Sequence, residues 1–217
     1  MPIETEIKFT APDKATLDSL ATLTAIAGFT VAESGLKPHT DTYFDTPERS
    51  LYYGRAVLRL REKGGRRVLT FKAQSEGGIP GDALHRRVEI ECETDASPGE
   101  IIHGMAGNSG PMRALRERIG NDPVEISMTG RNERRVFILE RDGRALFEMV
   151  LDDVLFTGPE GELRIYEVEV ESTGGGDDDL RNIGMELRER YGLEPAGPSK
   201  YIHGMTAVGG IHGQQYT

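Results

Sequence analysis

The sequence is poor in cysteine and tryptophan: its 217 residues include one cysteine, Cys92, and no tryptophan. Because Cys92 has no second cysteine to pair with, a disulfide within the chain is excluded, and a reducing compartment such as the cytoplasm is expected. The chain also lacks any run of roughly 18 apolar residues and begins without the basic and apolar regions of a secretory signal. Neither a membrane span nor export is predicted.

Basic residues are in deficit, with 26 lysines and arginines against 36 acidic residues and a net charge of −10. Nucleic acids and anionic membranes repel such a chain at long range, so neither is expected as a partner. A small anionic ligand is compatible with this charge where basic side chains converge on one site and metal ions add positive charge. The mixture of signs along the sequence indicates a folded chain rather than a disordered one. The chain is expected to be a monomer or a homodimer, and the sequence does not decide between the two.

Alternation of apolar and polar residues with a period of two predicts antiparallel β-strands along most of the chain. These strands fall at residues 3–9, 40–44, 56–62, 67–73, 84–93, 131–139, 144–153 and 162–172. Gly64-Gly65 predicts a tight hairpin between the third and fourth of them. Helices are predicted from Asp13 to about Gly28, near residues 100–105 and 112–119, and from a cap at Asp177 to about Tyr191. Residues 1–205 are expected to form a single domain, followed by a flexible tail at 206–217.

Charges of one sign repeat along single strand faces. The repeats are Glu4 and Glu6, Arg59 and Arg61, Glu89 and Glu91, and Glu167, Glu169 and Glu171. Like charges two residues apart on a strand lie about 7 Å from each other and repel, which makes this pattern a poor choice for solubility alone. Two interpretations are open: the charged faces are solvated, or they face inward around a charged ligand while the apolar faces pack against helices.

A set of short motifs follows the predicted strands in order. Glu4-Thr5-Glu6-Ile7-Lys8 has the pattern ExExK, and it is followed by Tyr43-Phe44-Asp45-Thr46-Pro47, Leu58-Arg59-Leu60-Arg61, Leu69-Thr70-Phe71-Lys72, Arg87-Val88-Glu89, a basic strand at 131–136, Leu151-Asp152, Glu167-Val168-Glu169 and Ser199-Lys200-Tyr201. This ordered set resembles the CYTH superfamily, the triphosphate tunnel metalloenzymes, and among them the bacterial inorganic triphosphatases. The resemblance implies an α+β fold, with a closed antiparallel β-barrel of about eight strands around a triphosphate tunnel and helices packed outside.

The resemblance also implies which side chains form the site. The metal ligands would be Glu4, Glu6, Asp152, Glu167 and Glu169, with Mg²⁺ or Mn²⁺ as the cofactor. The phosphate-binding side chains would be Lys8, Arg59, Arg61, Lys72, Arg87, Arg134 and Lys200, and the catalytic roles would fall to Glu6, Lys8, Glu169 and Lys200. Glu89 and Asp152 match acidic tunnel positions of this family, which hold basic side chains or a second metal. Arg134 has the opposite strand parity to Arg131 and Arg135, and it is the one expected to face the tunnel.

The activity that the resemblance implies is metal-dependent hydrolysis of a terminal phosphoanhydride in inorganic tripolyphosphate or a small organic triphosphate. Two alternatives stay open: a class IV adenylate cyclase, which converts ATP to cyclic AMP and pyrophosphate, and a non-catalytic polyphosphate-binding module. The many carboxylates argue against the binding module, because they would weaken simple anion binding. The sequence offers no identifiable pocket for adenine, which favours the triphosphatase. Tyr43 is expected to pack in the wall of the strands.

Overall fold

The structure is a computed structural model that describes residues 5–74, 87–197 and 199–211. Its strands are β1 (Glu6–Ala11), β2 (Ala25–Ile26), β3 (Phe29–Leu36), β4 (His39–Asp45), β5 (Ala56–Lys63), β6 (Arg66–Gln74), β7 (Arg87–Glu93), β8 (Glu125–Arg141), β9 (Arg144–Gly158), β10 (Gly161–Ser172) and β11 (Glu194–Pro195). Its helices are α1 (Lys14–Leu20), α2 (Ser50–Tyr53), α3 (Pro98–Ile102), α4 (Gly110–Ile119), α5 (Asp177–Tyr191) and α6 (Lys200–Val208). The longest described helix, α5, has 15 residues, and no described helix meets the length and hydropathy of a membrane span.

The chain forms two compact units, each assembled from separate segments. Unit 1 comprises Met1–Pro38, Asn132–Leu155 and Arg164–Ser199, and unit 2 comprises His39–Arg131, Phe156–Leu163 and Lys200–Thr217. The long strands β8, β9 and β10 contribute residues to both units. At the C-terminus, α6 continues to Val208, which is buried, so regular structure extends past residue 205 into the predicted tail.

Unit 1 is built on antiparallel strands in the order β11-β1-β10-β9-β8-β3-β2. In the β1–β10 ladder Glu6 lies opposite Glu171 and Lys8 lies opposite Glu169. Because side chains two residues apart on a strand share a face, this register puts all four of these charged groups on the same side of the sheet. The charged side is therefore set by strand pairing between distant parts of the chain.

Two amphipathic helices cover the apolar side of unit 1. In α1, Leu17 and Leu20 are buried, and Asp13 caps the helix by accepting a 2.8 Å hydrogen bond from the Thr16 amide. In α5 the buried residues recur at helical spacing, at Leu180, Ile183, Gly184 and Leu187. These residues join one core with side chains such as Phe9, Phe147 and Val168 from the strands. Burial of each large apolar side chain contributes about 1.5–3 kcal/mol, which stabilises the helices on the sheet.

Unit 2 contains antiparallel strands in the order β8-β4-β5-β6-β7. The predicted hairpin at Gly64-Gly65 is confirmed: both residues have positive φ, at 57° and 79°, and the flanking Lys63 and Arg66 pair across the turn. Apolar side chains of β4, β5 and β6 pack against α2, α3 and α4 in a second core, which includes Phe44, Leu58 and Leu115. The antiparallel α+β class is thus confirmed, and closure of the strands into a barrel stays a prediction.

One predicted helix proved wrong over its second half. The expected helix from Asp13 to about Gly28 ends at Leu20, and Ile26 belongs to β2, which pairs with the unpredicted strand β3. The turn between these strands places Ala27 at φ 47° and Gly28 at φ 79°, a left-handed pair that a helix does not contain. The leucine spacing of this segment fits a helix by coincidence. A period-two pattern does run through β3, where Phe29 and Val31 are buried and Thr30 is exposed.

Two element boundaries also differ from the sequence prediction. β8 begins at Glu125, six residues before the predicted strand start at Arg131. The N-cap of α5 is Gly176 rather than Asp177, whose position as the first helical residue still places its carboxylate at the positive end of the helix dipole.

The packing at Gly175 gives a test of this fold. A Cβ atom at Gly175 would lie 2.0 Å from Cζ of Phe147, a fully buried ring packed edge-to-face on Phe29. We expect Gly175→Ala to destabilise the protein by about 1–3 kcal/mol, because the ring has no room to move away. Urea unfolding measures this change. Gly197→Ala is the matched control, since among the described residues no atom beyond its chain neighbours lies within 4 Å of the added Cβ. Equal stability of the two variants would contradict the packing.

Candidate active site

A charged cluster forms in unit 1 where β1 pairs with β10. Lys8 Nζ lies 3.0 Å from Glu6 Oε1 and 3.4 Å from Glu169 Oε1. The ammonium group therefore contacts one carboxylate on its own strand and one on the neighbouring strand. The position of Lys8 between them offsets the repulsion between these two carboxylates, which share one face of the sheet. The structure thus brings together three of the predicted site residues.

Arg134 joins the same cluster through Glu169 and is held by a buried carboxylate, Asp152. Asp152 is fully buried and accepts two hydrogen bonds from Arg134, at 2.7 Å from Nε to Oδ1 and 2.6 Å from Nη2 to Oδ2. Arg134 Nη2 also donates to Glu169 Oε2 at 3.2 Å. Its sequence neighbour Arg135 instead makes two hydrogen bonds to Glu33 of β3. Strand parity thus separates the two arginines, and Arg134 is the one that meets the predicted acidic residues.

A small cavity of about 20 Å³ opens beside this cluster. Its lining consists of Glu6, Arg134, Glu148, Val150, Glu169 and Glu171. We call its four glutamates the carboxylate cluster. The sequence prediction did not include Glu148, although a signal for it existed: on β9, residues 148, 150 and 152 share a face, so Glu148 lies on the same side as Asp152.

The donor chemistry of the carboxylate cluster suits a hard divalent cation, because Mg²⁺ and Mn²⁺ prefer carboxylate oxygens. Within residues 5–74, 87–197 and 199–211, however, no three His, Cys, Asp or Glu side chains form a group that could hold a metal ion as they stand. A bound cation would therefore require side-chain rotation of the glutamates. Such rotation is open to Glu6, whose side chain is 39% exposed.

The other predicted metal ligands behave differently. Asp152 has both oxygens engaged by Arg134, so it orients that arginine. Glu167 is buried and is not among the residues that line the cavity. Glu4 lies outside the described residues. Glu6 and Glu169 are therefore the predicted ligands that the described structure brings to the cavity.

A second charged surface lies in unit 2, on the face of β4–β7 opposite the helices. Cross-strand pairs join Asp41 to Arg61, Arg59 to Thr70, Thr70 to Glu91 and Lys72 to Glu89. These pairs alternate along each strand with the apolar residues of the second core. We call this surface the arginine face; its cations are Arg59, Arg61 and Lys72.

The three cations of the arginine face differ in how firmly they are held. Asp41 accepts two hydrogen bonds from Arg61, at 2.7 and 2.8 Å, and Lys72 lies 2.7 Å from Glu89. The contacts of Arg59 with described residues are long: 3.4 Å to Thr70, 3.8 Å to Glu91 and 3.9 Å to Asp41. Its buried Nε donates no hydrogen bond to any residue that the structure describes. Arg59 is therefore the cation with the most donor capacity left for an anion.

Burial and neighbouring cations act in opposite directions on Asp41. Its exposed fraction is 6%, and this burial tends to raise its pKa, but the hydrogen bonds from Arg61 and the charges of Arg61, Arg59 and His39 outweigh burial. The pKa of Asp41 is held below its ordinary value of 3.8. The pKa of Glu89 is likewise lowered, because the contact with Lys72 outweighs the effect of burial. Both acids stay ionised and hold their basic partners near neutral pH.

Tyr43 packs in the wall of β4, as predicted. It is buried, its ring lies 5.4 Å from the ring of Tyr201, and its hydroxyl is 3.4 Å from Asp41. Burial raises the pKa of Tyr43 above its ordinary value, an effect that the nearby charge of Lys200 partly opposes. Lys200, the first residue of α6, is thus within electrostatic reach of this wall. Arg87 begins β7, and its side chain lies outside the described part of the structure.

Asp45 organises the turn after β4, a role that its place in the motif did not predict. Its fully buried carboxylate accepts hydrogen bonds from the amides of Thr46, Leu51 and Tyr52, at 2.8, 2.8 and 2.9 Å. Burial raises the pKa of Asp45, although these three amides oppose the shift. The turn motif at residues 43–47 therefore ends in a carboxylate that anchors α2 against β4.

Comparison with known proteins decides the family. The family model of the CYTH domain matches residues 2–204. The chain belongs to the CYTH domain family. No match was found among curated protein sequences.

Solved structures share the fold of this CYTH protein. HpAC1 from Hippeastrum, an adenylyl cyclase candidate with a dominant triphosphatase activity, has a TM-score of 0.68 at 22% identity, covering 94% of this chain and 96% of its own. An adenylate cyclase candidate from Bacillus halodurans has a TM-score of 0.61 at 19% identity, with 93% and 96% covered. PH1819 from Pyrococcus horikoshii has a TM-score of 0.50 at 19% identity, with 91% and 96% covered. At these identities the likeness concerns the fold alone.

The Asp41–Arg61 pair yields a pH-dependent prediction. We expect Arg61→Met to destabilise the CYTH protein by about 3 kcal/mol at pH 7, because the variant leaves a buried carboxylate without its main partner. In the natural protein Asp41 has a lowered pKa, so its contribution is present above pH 3.8 and lost as the pH falls through the folded-state value. In the variant, burial raises the pKa of Asp41 above its unfolded value, so the folded variant binds a proton as the pH falls. Protonation removes the cost of the buried charge. The difference in unfolding free energy between the natural protein and the variant therefore narrows between pH 7 and pH 4.

Urea unfolding at several pH values measures this difference. Arg66→Met is the matched control, because the ion pair of Arg66 with Glu93 is long, at 3.7 Å, and joins two highly exposed side chains. Such a pair contributes about 0–1 kcal/mol at most. An Arg61→Met effect as small as that of the control, or independent of pH, would show that Asp41 does not depend on this arginine.

Proposed function

We propose that this CYTH protein hydrolyses a terminal phosphoanhydride of inorganic tripolyphosphate or a small organic triphosphate, with Mg²⁺ or Mn²⁺. The observation that carries the proposal is the arginine face. It presents three cations on one side of a sheet, and the buried Nε of Arg59 donates to no described residue. A surface of this kind suits a ligand with several phosphate oxygens, because guanidinium forks match phosphate geometry. HpAC1, which shares the fold, has a dominant triphosphatase activity.

Phosphoryl transfer depends mainly on positioning and charge neutralisation, because the charge resides on the phosphate oxygens throughout the reaction. In this proposal Arg59, Arg61 and Lys72 bind phosphate oxygens. Asp41 and Glu89 hold Arg61 and Lys72 in place before substrate arrives, so little reorganisation is needed on binding. The remaining proposed phosphate-binding residues, carried over from the family resemblance, are Lys8, Arg87, Arg134 and Lys200.

The carboxylate cluster would hold the cation, with Glu6 and Glu169 as the main ligands and Glu148 and Glu171 beside them. When bound, a divalent cation neutralises phosphate charge and lowers the pKa of a water molecule. Lys8, which contacts both Glu6 and Glu169, would bind phosphate oxygens. Glu4 and Glu167 remain proposed ligands on the family resemblance.

A class IV adenylate cyclase is the second candidate. It is favoured by the names of two structural neighbours, the adenylyl cyclase candidate from Hippeastrum and the adenylate cyclase candidate from Bacillus halodurans. Such an enzyme would use the same cations to bind the triphosphate of ATP. The two reactions differ in their products, since a cyclase releases pyrophosphate and a triphosphatase releases orthophosphate.

Product analysis with tripolyphosphate and with ATP, in Mg²⁺, Mn²⁺ or EDTA, tests the proposed function. We expect orthophosphate release that needs the metal and is faster from tripolyphosphate, because that substrate presents phosphate groups alone to the arginine face. Cyclic AMP and pyrophosphate from ATP would establish the cyclase instead. Tight binding of tripolyphosphate without turnover of either compound would leave only the binding module.

Glu6→Gln tests the role of the carboxylate cluster. We expect kcat/KM to fall by roughly a hundredfold or more, because the change removes a ligand charge from a metal-assisted reaction. Stability should change by at most about 1 kcal/mol, since the Glu6–Lys8 pair is well exposed. Glu33→Gln is the matched control: it also removes an acid from an ion pair in unit 1, the pair with Arg135, and should leave activity unchanged. Near-normal activity of Glu6→Gln would remove Glu6 from the site.

A further inference from the structure

A second cavity in unit 1 lies on the helix-covered side of the sheet. It has a volume of about 60 Å³, and its lining consists of Lys14, Leu17, Asp18, Leu36, Glu133, Arg135, Leu151 and Asp153. The residues from β8 and β9 in this lining alternate with Arg134 and Asp152, so they point to the opposite face. This cavity is therefore separate from the carboxylate cluster.

Asp153 is the distinctive residue of this cavity. Its side chain is only 9% exposed, and its buried Oδ1 accepts no hydrogen bond from any described residue. Arg164 Nε lies 3.3 Å from that oxygen but outside hydrogen-bonding geometry. A buried carboxylate oxygen without a donor is costly, because the water that would have solvated it has been removed. The cavity thus contains an acceptor that a ligand with N–H groups would satisfy.

The charges around the cavity leave a net excess of acid. Lys14 Nζ is held by Asp18 at 2.8 Å, and Arg135 Nη2 is held by Glu33 at 2.8 Å, so both cations are already paired. Glu133 forms no ion pair within the described part of the chain. The pKa of Lys14 is raised, first by its hydrogen bond to Asp18 and further by the charges of Asp153 and Glu133. Arg164 lies 3.3 Å from Asp153, so the excess negative charge of the lining comes from Glu133, and it attracts positive charge to this point.

The apolar residues of the lining decide which kind of cation fits. Leu17 and Leu151 are buried, while Leu36 is 68% exposed at the edge of the lining. A metal ion would need oxygen ligands on most sides, and the described residues contain no group of acids that could hold one. An ammonium group on an alkyl chain uses both components, the acids for its charge and the leucines for its methylene groups. The volume is several times the roughly 10–15 Å³ that a single water molecule requires.

We propose that this cavity binds the primary ammonium group of a short aliphatic diamine. Asp153 accepts a hydrogen bond from the ammonium, Glu133 supplies a second negative charge, and the chain lies against Leu17 and Leu36. The second ammonium group of the diamine remains in solvent. The site does not depend on the proposed hydrolysis of triphosphates, because it uses none of the residues of the arginine face or the carboxylate cluster.

Isothermal titration of the full chain with putrescine, a four-carbon diamine, tests the proposal. We expect saturable binding to the natural protein and none of the uncharged butanediol of the same length. Asp153→Asn should weaken putrescine binding roughly tenfold or more, because a charged hydrogen-bond acceptor is lost. Glu189→Gln removes an exposed acid of α5 that is not part of the cavity, and it should leave the affinity unchanged. Equal affinity of these two variants, or no binding to the natural protein, would overturn the proposal.

Two further variants separate this site from general attraction to an acidic protein. Lys14→Met removes a neighbouring positive charge at an exposed position and should strengthen putrescine binding by about threefold. If Lys14→Met disturbed the fold, putrescine would bind more weakly. Weaker binding to this variant would therefore contradict the proposed site. Glu6→Gln should leave the affinity unchanged. Loss of binding in Glu6→Gln would assign the diamine to the carboxylate cluster and overturn the proposal.

Discussion

A buried carboxylate held by an arginine fork is the interaction on which both charged surfaces depend. In unit 2, Asp41 accepts two hydrogen bonds from Arg61, and in unit 1, Asp152 accepts two from Arg134. Neither acid would be stable in its buried position alone, because removing an ion from water costs several kcal/mol. Each fork in turn fixes its guanidinium in one orientation. The protein thereby stabilises its charged faces and orients its cations through the same contacts, which suits electrostatic stabilisation of phosphate groups.

Each strand has one apolar face and one charged face, so the charged surfaces and the hydrophobic core lie on opposite sides of the same sheet. Along β5 the buried Leu58 and Leu60 alternate with Arg59 and Arg61, so helices cover one side while charges cover the other. Because of this alternation, residues adjacent in the sequence lie on opposite faces of the sheet and contact different partners. Arg134 and Arg135 are adjacent, yet one bonds to Asp152 and the other to Glu33. Substitution of one member of such a pair is therefore expected to affect only the surface on its own side.

Asp152 and Asp153 show how the surroundings decide the role of a residue type. Both are buried aspartates on β9, but they point to opposite faces. Asp152 is matched by an arginine fork and belongs to the site proposed for phosphoryl transfer. Asp153 has an oxygen that receives no hydrogen bond from the described residues and lies beside leucines, and we assign it to a diamine site. A buried acceptor that receives no hydrogen bond from the described residues is available to a ligand, as at Asp153. One that is held by an arginine instead positions that arginine, as at Asp152.

The sequence by itself determined the features that depend on local periodicity and local turn chemistry. The alternation in β4, β5, β6 and β10 predicted strands close to their observed bounds, Gly64-Gly65 predicted the β5–β6 hairpin, and the ordered motifs predicted the family. The tertiary structure decided what depends on partners distant in the chain. Leucine spacing could not show that the chain turns at Ala27 into β3, and the sequence could not show that Glu148 joins Glu6 and Glu169 at one cavity.

The role of each charged residue was also decided by tertiary contacts. Arg59 and Arg61 are equivalent in the strand pattern, but Arg61 lies opposite Asp41 and is held by it, while the buried Nε of Arg59 donates to none of the described residues. The motif leaves open whether Asp152 holds a basic group or a metal, and in the structure its carboxylate accepts two hydrogen bonds from Arg134. The physical reason is that side-chain direction follows from the strand period, which is local. The partner across the ladder follows from register, which is set by packing between segments far apart in the sequence.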